Sequence, residues 1–342
     1  MIVRFGFVAM SVLLENASPS RTMTYTNFVK LADREAGLRR LERIAEENLH
    51  NTLRLLKHCK YSDIQVYRIT SKLIPLATHA EMQDWDPYAP LAASFAEVGA
   101  FVRDNGMRVS FHPDHFTVFS TPREEVLRSS HRDLNHHVRM FEMMGLDERA
   151  TCNIHVGGTY GNKGEAGRRF VRQFGALEPR IRRRMTLEND DKTFTAAETL
   201  ALAEETGVPM VLDIHHHAVN NPDGERAEAL WDRIRDTWGR FGWNGLKPDR
   251  PPEELLPPKI HVSTPKSATD PRGHADYVDP GSVLEFLRPI AASTPAIDVM
   301  IEAKRKDEAL LKLMEDMKAA EAAGLPVRVL DGARVEVSGS VV

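Results

Sequence analysis

The sequence predicts a single (β/α)8 barrel with a metal site on the C-terminal rim of its strands, and three observations predict it. Eight short apolar or β-branched runs alternate along 342 residues with longer amphipathic stretches. Strict alternation of strand and helix implies a parallel sheet, and eight units point to closure into a barrel, with an open doubly wound sheet as the alternative. His, Asp or Glu stands at the end of six of these runs, where the active sites of such barrels lie.

The strand runs are Val3–Val8, Ile64–Thr70, Arg108–His112, Thr151–Val156, Met185–Asn189, Pro209–Ile214, Lys259–Ser263 and Asp298–Ala303. Helical periodicity fills the intervals, with Leu41, Ala45, Leu49, Leu53 and Leu56 after the first run. Leu127, His131, Leu134, Val138 and Phe141 follow the third run, and Phe170, Phe174 and Leu177 follow the fourth. Met1–Leu14 is apolar, but Arg4 is its only basic residue and no small-residue cleavage pattern precedes Glu15, so it reads as the first core strand. Arg240–Pro258, with Trp243 and the run Pro251-Pro252-Glu253-Glu254, reads as a long loop before the seventh strand. The barrel domain is assigned to residues 1–323, and residues 324–342 to a Gly- and Val-rich tail, a hairpin or a frayed end.

Hydrophobic residues make up 42% of the chain and charged ones 27%, enough apolar surface for a sizeable core and too much for disorder. A net charge of -4 leaves no overall basic footprint for nucleic acid. Bound divalent cations are absent from that sum and would supply positive charge locally. Cys59 and Cys152 are too few for a disulfide framework, which suits a reducing cytoplasm. No apolar run approaches the ~20 residues that span a bilayer, so no membrane partner is expected. There is neither a P-loop nor a Gly-x-Ser-x-Gly elbow, and the glycine-dense stretch Gly157–Gly164 reads as a tight loop approaching a ligand. No nucleotide cofactor is expected.

The chemistry-bearing residues are His112, His155, Glu188, Asp213, His261 and Glu302, which a closed barrel would bring to one rim. Each alone reads most simply as a satisfied polar residue. Together, buried carboxylates and imidazoles at this density need a cation among them. Ligation by His, Asp and Glu without cysteine suits zinc, manganese or iron better than magnesium or calcium. Within His215-His216-His217, only a side chain turned toward the rim can ligate; Asp213 and His216, three apart, would reach adjacent metals. His274 and Asp276 offer another imidazole and carboxylate. Lys259 shares a strand face with His261, and an ammonium beside divalent metals is disfavoured. Either it turns away to meet phosphate, or it becomes an anionic carbamate.

These motifs resemble the UV damage endonucleases, relatives of the endonuclease IV barrels, over nearly the whole chain from Arg4-Phe5-Gly6-Phe7 to Met300-Ile301-Glu302-Ala303-Lys304. The matching blocks include Tyr67-Arg68, Pro75-Leu76-Ala77-Thr78-His79, Ser110-Phe111-His112-Pro113 and Asn153-Ile154-His155-Val156-Gly157-Gly158. Leu187-Glu188-Asn189-Asp190, Pro258-Lys259-Ile260-His261 and His274-Ala275-Asp276-Tyr277 continue the match. The resemblance implies three divalent metal ions, manganese first, with zinc or magnesium as alternatives. It places His112 and His155 on one metal, with Glu188 bridging to a second that Asp213, His261 and Glu302 complete, and His216 and His274 on the third. It implies a carboxylated Lys259, and a polar role for His79 near the site.

The resemblance further implies that His115 and Phe116 wedge into the duplex at the lesion, His115 standing where glutamine is usual, with Phe7 as an additional lesion-probing position. The family's asparagine in the first βα loop has no clear counterpart around Ala9–Val12. The reaction implied is hydrolysis of the phosphodiester immediately 5′ of a cyclobutane dimer or 6-4 photoproduct in double-stranded DNA, with Glu188 as bridge and local base. Lys163, Lys192, Lys266, Arg272 and Lys304, in rim loops, are candidate phosphate contacts, ordinary solvated side chains being the alternative. A monomer in the cytoplasm, associated with the nucleoid in a bacterium, is expected. The competing readings are a metal-dependent sugar isomerase, whose barrels also line a rim with His, Glu and Asp, and a barrel that binds damaged DNA without cutting it.

Overall fold

The structure is a computed structural model, and it describes residues 1–244, 247–248 and 255–339. Eight parallel strands close on themselves: β1 (Ile2–Val8), β2 (Val66–Arg68), β3 (Arg108–Phe111), β4 (Thr151–His155), β5 (Met185–Glu188), β6 (Met210–Asp213), β7 (Lys259–Val262) and β8 (Ala296–Ile301). Each strand pairs with its successor, and β8 returns to β1 in the register Ile2↔Ala296 through Phe7↔Ile301. The predicted (β/α)8 barrel is therefore the observed one.

The outer layer consists of α1 (Arg34–Tyr61), α2 (Tyr88–Asp104), α3 (Glu124–Met143), α4 (Lys163–Gly175), α5 (Ala196–Thr206), α6 (Ala227–Asp236), α7 (Pro280–Ile290) and α8 (Lys306–Ala322). The apolar stripe expected on α1 is buried, Ala45, Leu49, Leu53 and Leu56 in the main core and Leu41 in a separate cluster with Met23, Phe28 and Met82. Helix α5 is punctuated by its own sequence. Thr195 and Glu198 form a reciprocal capping box at its start, and Gly207, at φ +66°, ends it in the left-handed conformation that favours glycine. No helix among the described residues is long and apolar enough to cross a membrane.

Alternation along the strands sorts side chains between two environments. Val3, Phe5 and Phe7 on β1 face the helices and are fully buried in the main core. The opposite face looks into the barrel, whose lumen is polar and layered. At the bottom, Arg4 and Arg108 both grip Asp298, at 2.6 Å each. One layer up, Lys259 Nζ donates to Ser110 Oγ at 2.9 Å and Thr186 Oγ1 to Asn153 Oδ1 at 2.8 Å, beside a small apolar cluster of Val8, Val66 and Met300. The top layer holds the candidate metal ligands.

The tail folds back as a hairpin, β9 (Val327–Val329) and β10 (Arg334–Val337). Strand β2 is only three residues long and meets β1 from Gly6 onward, leaving the lower edge of β1 open. Strand β10 pairs antiparallel there, Ile2↔Glu336 to Arg4↔Arg334, and satisfies the exposed edge. Within the stretch expected as a loop, Trp243–Asn244 and Lys247–Pro248 pair as a short antiparallel ribbon. The run Pro251–Glu254 lies outside the described residues.

Candidate metal centre

Parallel register sets the strand ends side by side. His155 is opposite Glu188 across β4–β5, and Asp213 opposite His261 across β6–β7. Three groups of ligand atoms result, each within 4.8 Å of one another: His112, His155 and Glu188; Glu188, Asp213 and His216; Asp213, His261 and Glu302. Glu188 belongs to the first two and Asp213 to the last two, so the groups form a chain across the barrel mouth.

Local structure selects which imidazole joins. Asp213 ends β6 and caps the short helix Ile214–Val219, its Oδ1 accepting from His216 N at 2.7 Å. One turn of that helix points His216 inward, 3.5 Å from Glu188 and 3.6 Å from Asp213. His215 and His217 are carried to other faces, where they meet the carbonyls of Pro271 and Glu225, each at 2.8 Å. Asn189 locks the ends of β5 and β6 by exchanging two 2.9 Å hydrogen bonds with the Asp213 backbone.

Electrostatically, Glu188 is the hub. His112 Nε2 lies 3.0 Å from one carboxylate oxygen, which also accepts from Asn153, and His261 Nδ1 lies 3.2 Å from the other. Burial would raise its pKa, but His261 and His155, with hydrogen bonds from His112 and His261, hold it well below the usual carboxylate range. Asp213 is pushed up to about 6, burial outweighing the attraction of His216. Burial opposes the charged forms of His216 and His261, yet their carboxylates prevail and lift both to about 9, Asp213 leading for His216 and Glu188 for His261. Burial lowers His155.

Two buried atoms of the third group, Asp213 Oδ2 and His261 Nε2, have no hydrogen-bond partner. A buried acceptor and a buried imidazole nitrogen left open on the same site are what a cation satisfies. The donor set, imidazole and carboxylate without thiolate, fits a divalent ion of the manganese or zinc kind.

The other expected site residues are placed as follows. His115 and Phe116 stand in the loop after β3, their rings 4.0 Å apart and Phe116 71% exposed. A cleft of about 480 Å³ runs from His115 past Asp190 and Lys192 to His155 and His216. Gly157, at φ +109°, lines it; a Cβ there would strike Ser120 Oγ at 2.6 Å, so the glycine-dense loop is tight because it packs on the loop that carries Phe116. His274 enters none of the three groups: its Nδ1 meets the Glu302 carbonyl and its ring stacks on His215 at 5.3 Å. His79 caps a 3-10 turn and stacks on Tyr25 at 4.2 Å. Phe7 is corrected. It is fully buried among the helix-facing core residues and cannot touch DNA.

Among the five rim cations, Lys163 pairs with Glu198 at 3.0 Å, Lys266 with Asp270 at 3.2 Å, and Lys192 and Arg272 with Asp191 at 3.8 and 3.5 Å. Lys304 is exposed and has no ion pair among the described residues.

A model of the UV-endonuclease UvdE family matches residues 3–328. The chain belongs to that family. It is 42% identical to the UV DNA damage endonuclease of Bacillus pumilus (strain SAFR-032) over 319 residues, 93% of this chain and 95% of that one. The UV DNA damage endonuclease of Halalkalibacterium halodurans is 43% identical over 320 residues, 93% and 94% of the two chains. The crystal structure of SacUVDE superposes with a TM-score of 0.78 at 28% identity, covering 93% of this chain and 99% of that one. A 3-keto-D-glucoside 4-epimerase from E. coli, at TM-score 0.52 and 14% identity, shares the fold alone. The protein is thus a UV-damage repair endonuclease of the UvdE family, with groups at its rim consistent with metal use.

Asn153, two residues before His155 and therefore on the same face, orients Glu188, a role that strand periodicity alone does not reveal. Arg68, inside a matched block at the end of β2, donates to Glu302, a contact that only the closed barrel brings about.

Proposed function

We propose that this UvdE-family endonuclease hydrolyses the phosphodiester immediately 5′ of UV photolesions, cyclobutane dimers and 6-4 photoproducts, in double-stranded DNA. The observation that carries the reading is the chain of three ligand groups through Glu188 and Asp213, with an exposed aromatic ridge beside it. His112, His155, Glu188, Asp213, His216, His261 and Glu302 would hold three divalent cations, manganese first, with His274 at the margin. Bound there, the cations supply Lewis-acid polarisation of the phosphoryl oxygens and a water acidic enough to attack at neutral pH. Glu188, fixed by Asn153, keeps its carboxylate ionised and is the local acceptor for the attacking water's proton. Phe116 wedges where damaged bases unstack cheaply, His115 supports its ring, and Lys304 contacts phosphate.

Lys259 carries a carbamate in this reading. Its amine is buried, with Ser110 Oγ as its hydrogen-bond partner, and burial, helped by Arg108, pushes its pKa well below the ordinary lysine value. A neutral amine is the form that adds to carbon dioxide, losing one proton to leave an anion one layer beneath the cations. The enzyme acts as a monomer in the cytoplasm.

The test is a nicking assay on a duplex with one defined cyclobutane dimer, using metal-depleted protein with and without manganese, beside Glu188→Gln. The expected result is a manganese-dependent cut 5′ of the dimer, absent in the variant and on undamaged duplex. Binding without cutting by the metal-loaded wild type would instead favour a damage-binding barrel.

A further inference from the structure

Two cations at the barrel mouth are absorbed by none of the ligand groups. Arg68 ends β2 and donates through Nη1 to Glu302 Oε1. Its Nε and Nη2 have no acceptor among the described residues, and they are not sealed from solvent. Lys306 opens α8 on the far side of β1, within electrostatic reach of Arg68 and Glu302. Its ammonium has no ion pair among the described residues. Because β8, β1 and β2 are neighbours in the barrel, the pair lies on the arc of the rim where β1 and β2 contribute none of the ligand groups found among the described residues.

The backbone under Lys306 is strained, at φ +49°, in the left-handed region where glycine or asparagine sits more easily. The turn is stapled around it: Lys304 N and Arg305 N donate to the carbonyls of Ala275 and Asp276 at 3.0 and 3.1 Å, and Lys306 N to Ala303 O at 3.2 Å. The next residue, Asp307, accepts from Ser11 Oγ and from Val12 N at 2.9 Å and meets His58 Nε2 at 3.1 Å. Strain of this kind persists where its surroundings over-determine it, and it clusters at ligand clamps. Here it fixes a lysine in the turn that follows Glu302, the carboxylate Arg68 holds. Arg68 shares its one carboxylate partner, Glu302, with His261, and Lys306, four residues after Glu302 in the same rim turn, has no ion pair among the described residues.

We propose that Arg68 and Lys306 form a phosphate-binding pair that holds a backbone phosphate of the strand entering the metal centre over β1. The proposal deepens the DNA-cutting reading and rests on it for the identity of the phosphate. Arg68 offers a planar guanidinium edge and Lys306 a point charge, the two ways proteins hold phosphate oxygens.

The experiment uses metal-loaded protein and Lys306 variants, because changing Arg68 would also release Glu302. Lys306→Asn tolerates the left-handed backbone but removes the charge, and Lys306→Arg retains it. Inorganic phosphate is titrated calorimetrically onto each, and nicking of a single-dimer duplex is followed against salt. The expected results are phosphate affinity weakened about tenfold in Lys306→Asn and restored in Lys306→Arg, the loss of one charge-assisted bond. The slope of log kcat/KM on log salt should become shallower by about one in Lys306→Asn, with no fall in Tm. Unchanged phosphate affinity together with an unchanged salt slope would overturn the pair. If wild type ignored the dimer while phosphate still separated the variants, the pair would stand and the lesion reading would fail.

Discussion

Metal uptake by this protein should release protons in a number that the rim geometry sets. In the metal-free protein, His216 and His261 are each held near pKa 9 by Asp213, Glu188 and Glu302, whereas Asp213, at about 6, is already largely ionised at pH 7. At pH 7 both imidazoles are about 99% protonated, and a metal can ligate neither until its proton leaves. Two pK units between 7 and 9 correspond to about 2.7 kcal/mol per imidazole. Since each imidazole is still half protonated at pH 9, each of the two metals concerned should therefore bind roughly fiftyfold more tightly at pH 9 than at pH 7. The sign for stability runs the other way in the metal-free protein: the support these raised imidazoles give is complete below about 6.5 and is lost as pH rises through 9. The stabilisation conferred by manganese should accordingly grow over the same window. Calorimetric titration of manganese in buffers of different ionisation enthalpy counts the protons, with about two expected at pH 7 and about one at pH 9. Release of no protons at pH 7, with full metal loading, would refute the assignment of His216 and His261 as ligands.

Phe116→Ala should leave Tm nearly unchanged, since the ring is 71% exposed, while lowering kcat/KM on a dimer duplex about 10- to 100-fold, the worth of one base stack; cutting at the wild-type rate would remove the wedge. Asp298→Asn should cost about 3–5 kcal/mol in urea unfolding, because it strands the buried Arg108 and weakens Arg4, yet leave metal stoichiometry intact. Lys259→Met should fold, since it replaces a buried amine by an isosteric apolar chain, but lose any dependence of activity on bicarbonate; intact-mass spectrometry of wild type under native conditions reports the carbamate directly.

Much of the barrel was legible because period-two burial and the alternation with helices are local properties of the chain. All eight strands lie within the predicted runs or overlap them, and the six strand-end ligands converge. Strand β2 is shorter than its apolar run, Ile64–Thr70, because pairing with β1 begins only at Val66. How the ligands divide among sites was not legible, since that depends on register between strands and on the turn of helix that swings His216 onto Asp213. The facing of Phe7 was not legible, since it follows from Arg4 pointing into the lumen to meet Asp298, which turns Val3, Phe5 and Phe7 outward. Lys306 left no trace in the sequence, because lysine carries no preference for the left-handed conformation it adopts there.

A net charge of -4 leaves no overall basic footprint, yet the layered lumen lets the rim attract phosphate. At the bottom, Arg4 and Arg108 share Asp298, which offsets one of their two charges, and they lie at the opposite end of the lumen from the rim. At the top, protons on His216 and His261 balance Glu188 and Asp213, so the metal-free rim offers a phosphate little beyond Arg68, Lys304 and Lys306. Three divalent cations would add roughly six positive charges at that rim while displacing about two protons. DNA affinity should therefore be conditional on metal, although every basic side chain is present throughout. Measured by fluorescence anisotropy on a dimer duplex carrying a non-hydrolysable linkage, metal-free protein should bind at least tenfold more weakly than manganese-loaded protein, and with a shallower salt dependence, as fewer phosphates are neutralised. Equal affinity and equal slope in the two states would mean that surface lysines and arginines, and not the metal centre, supply the attraction.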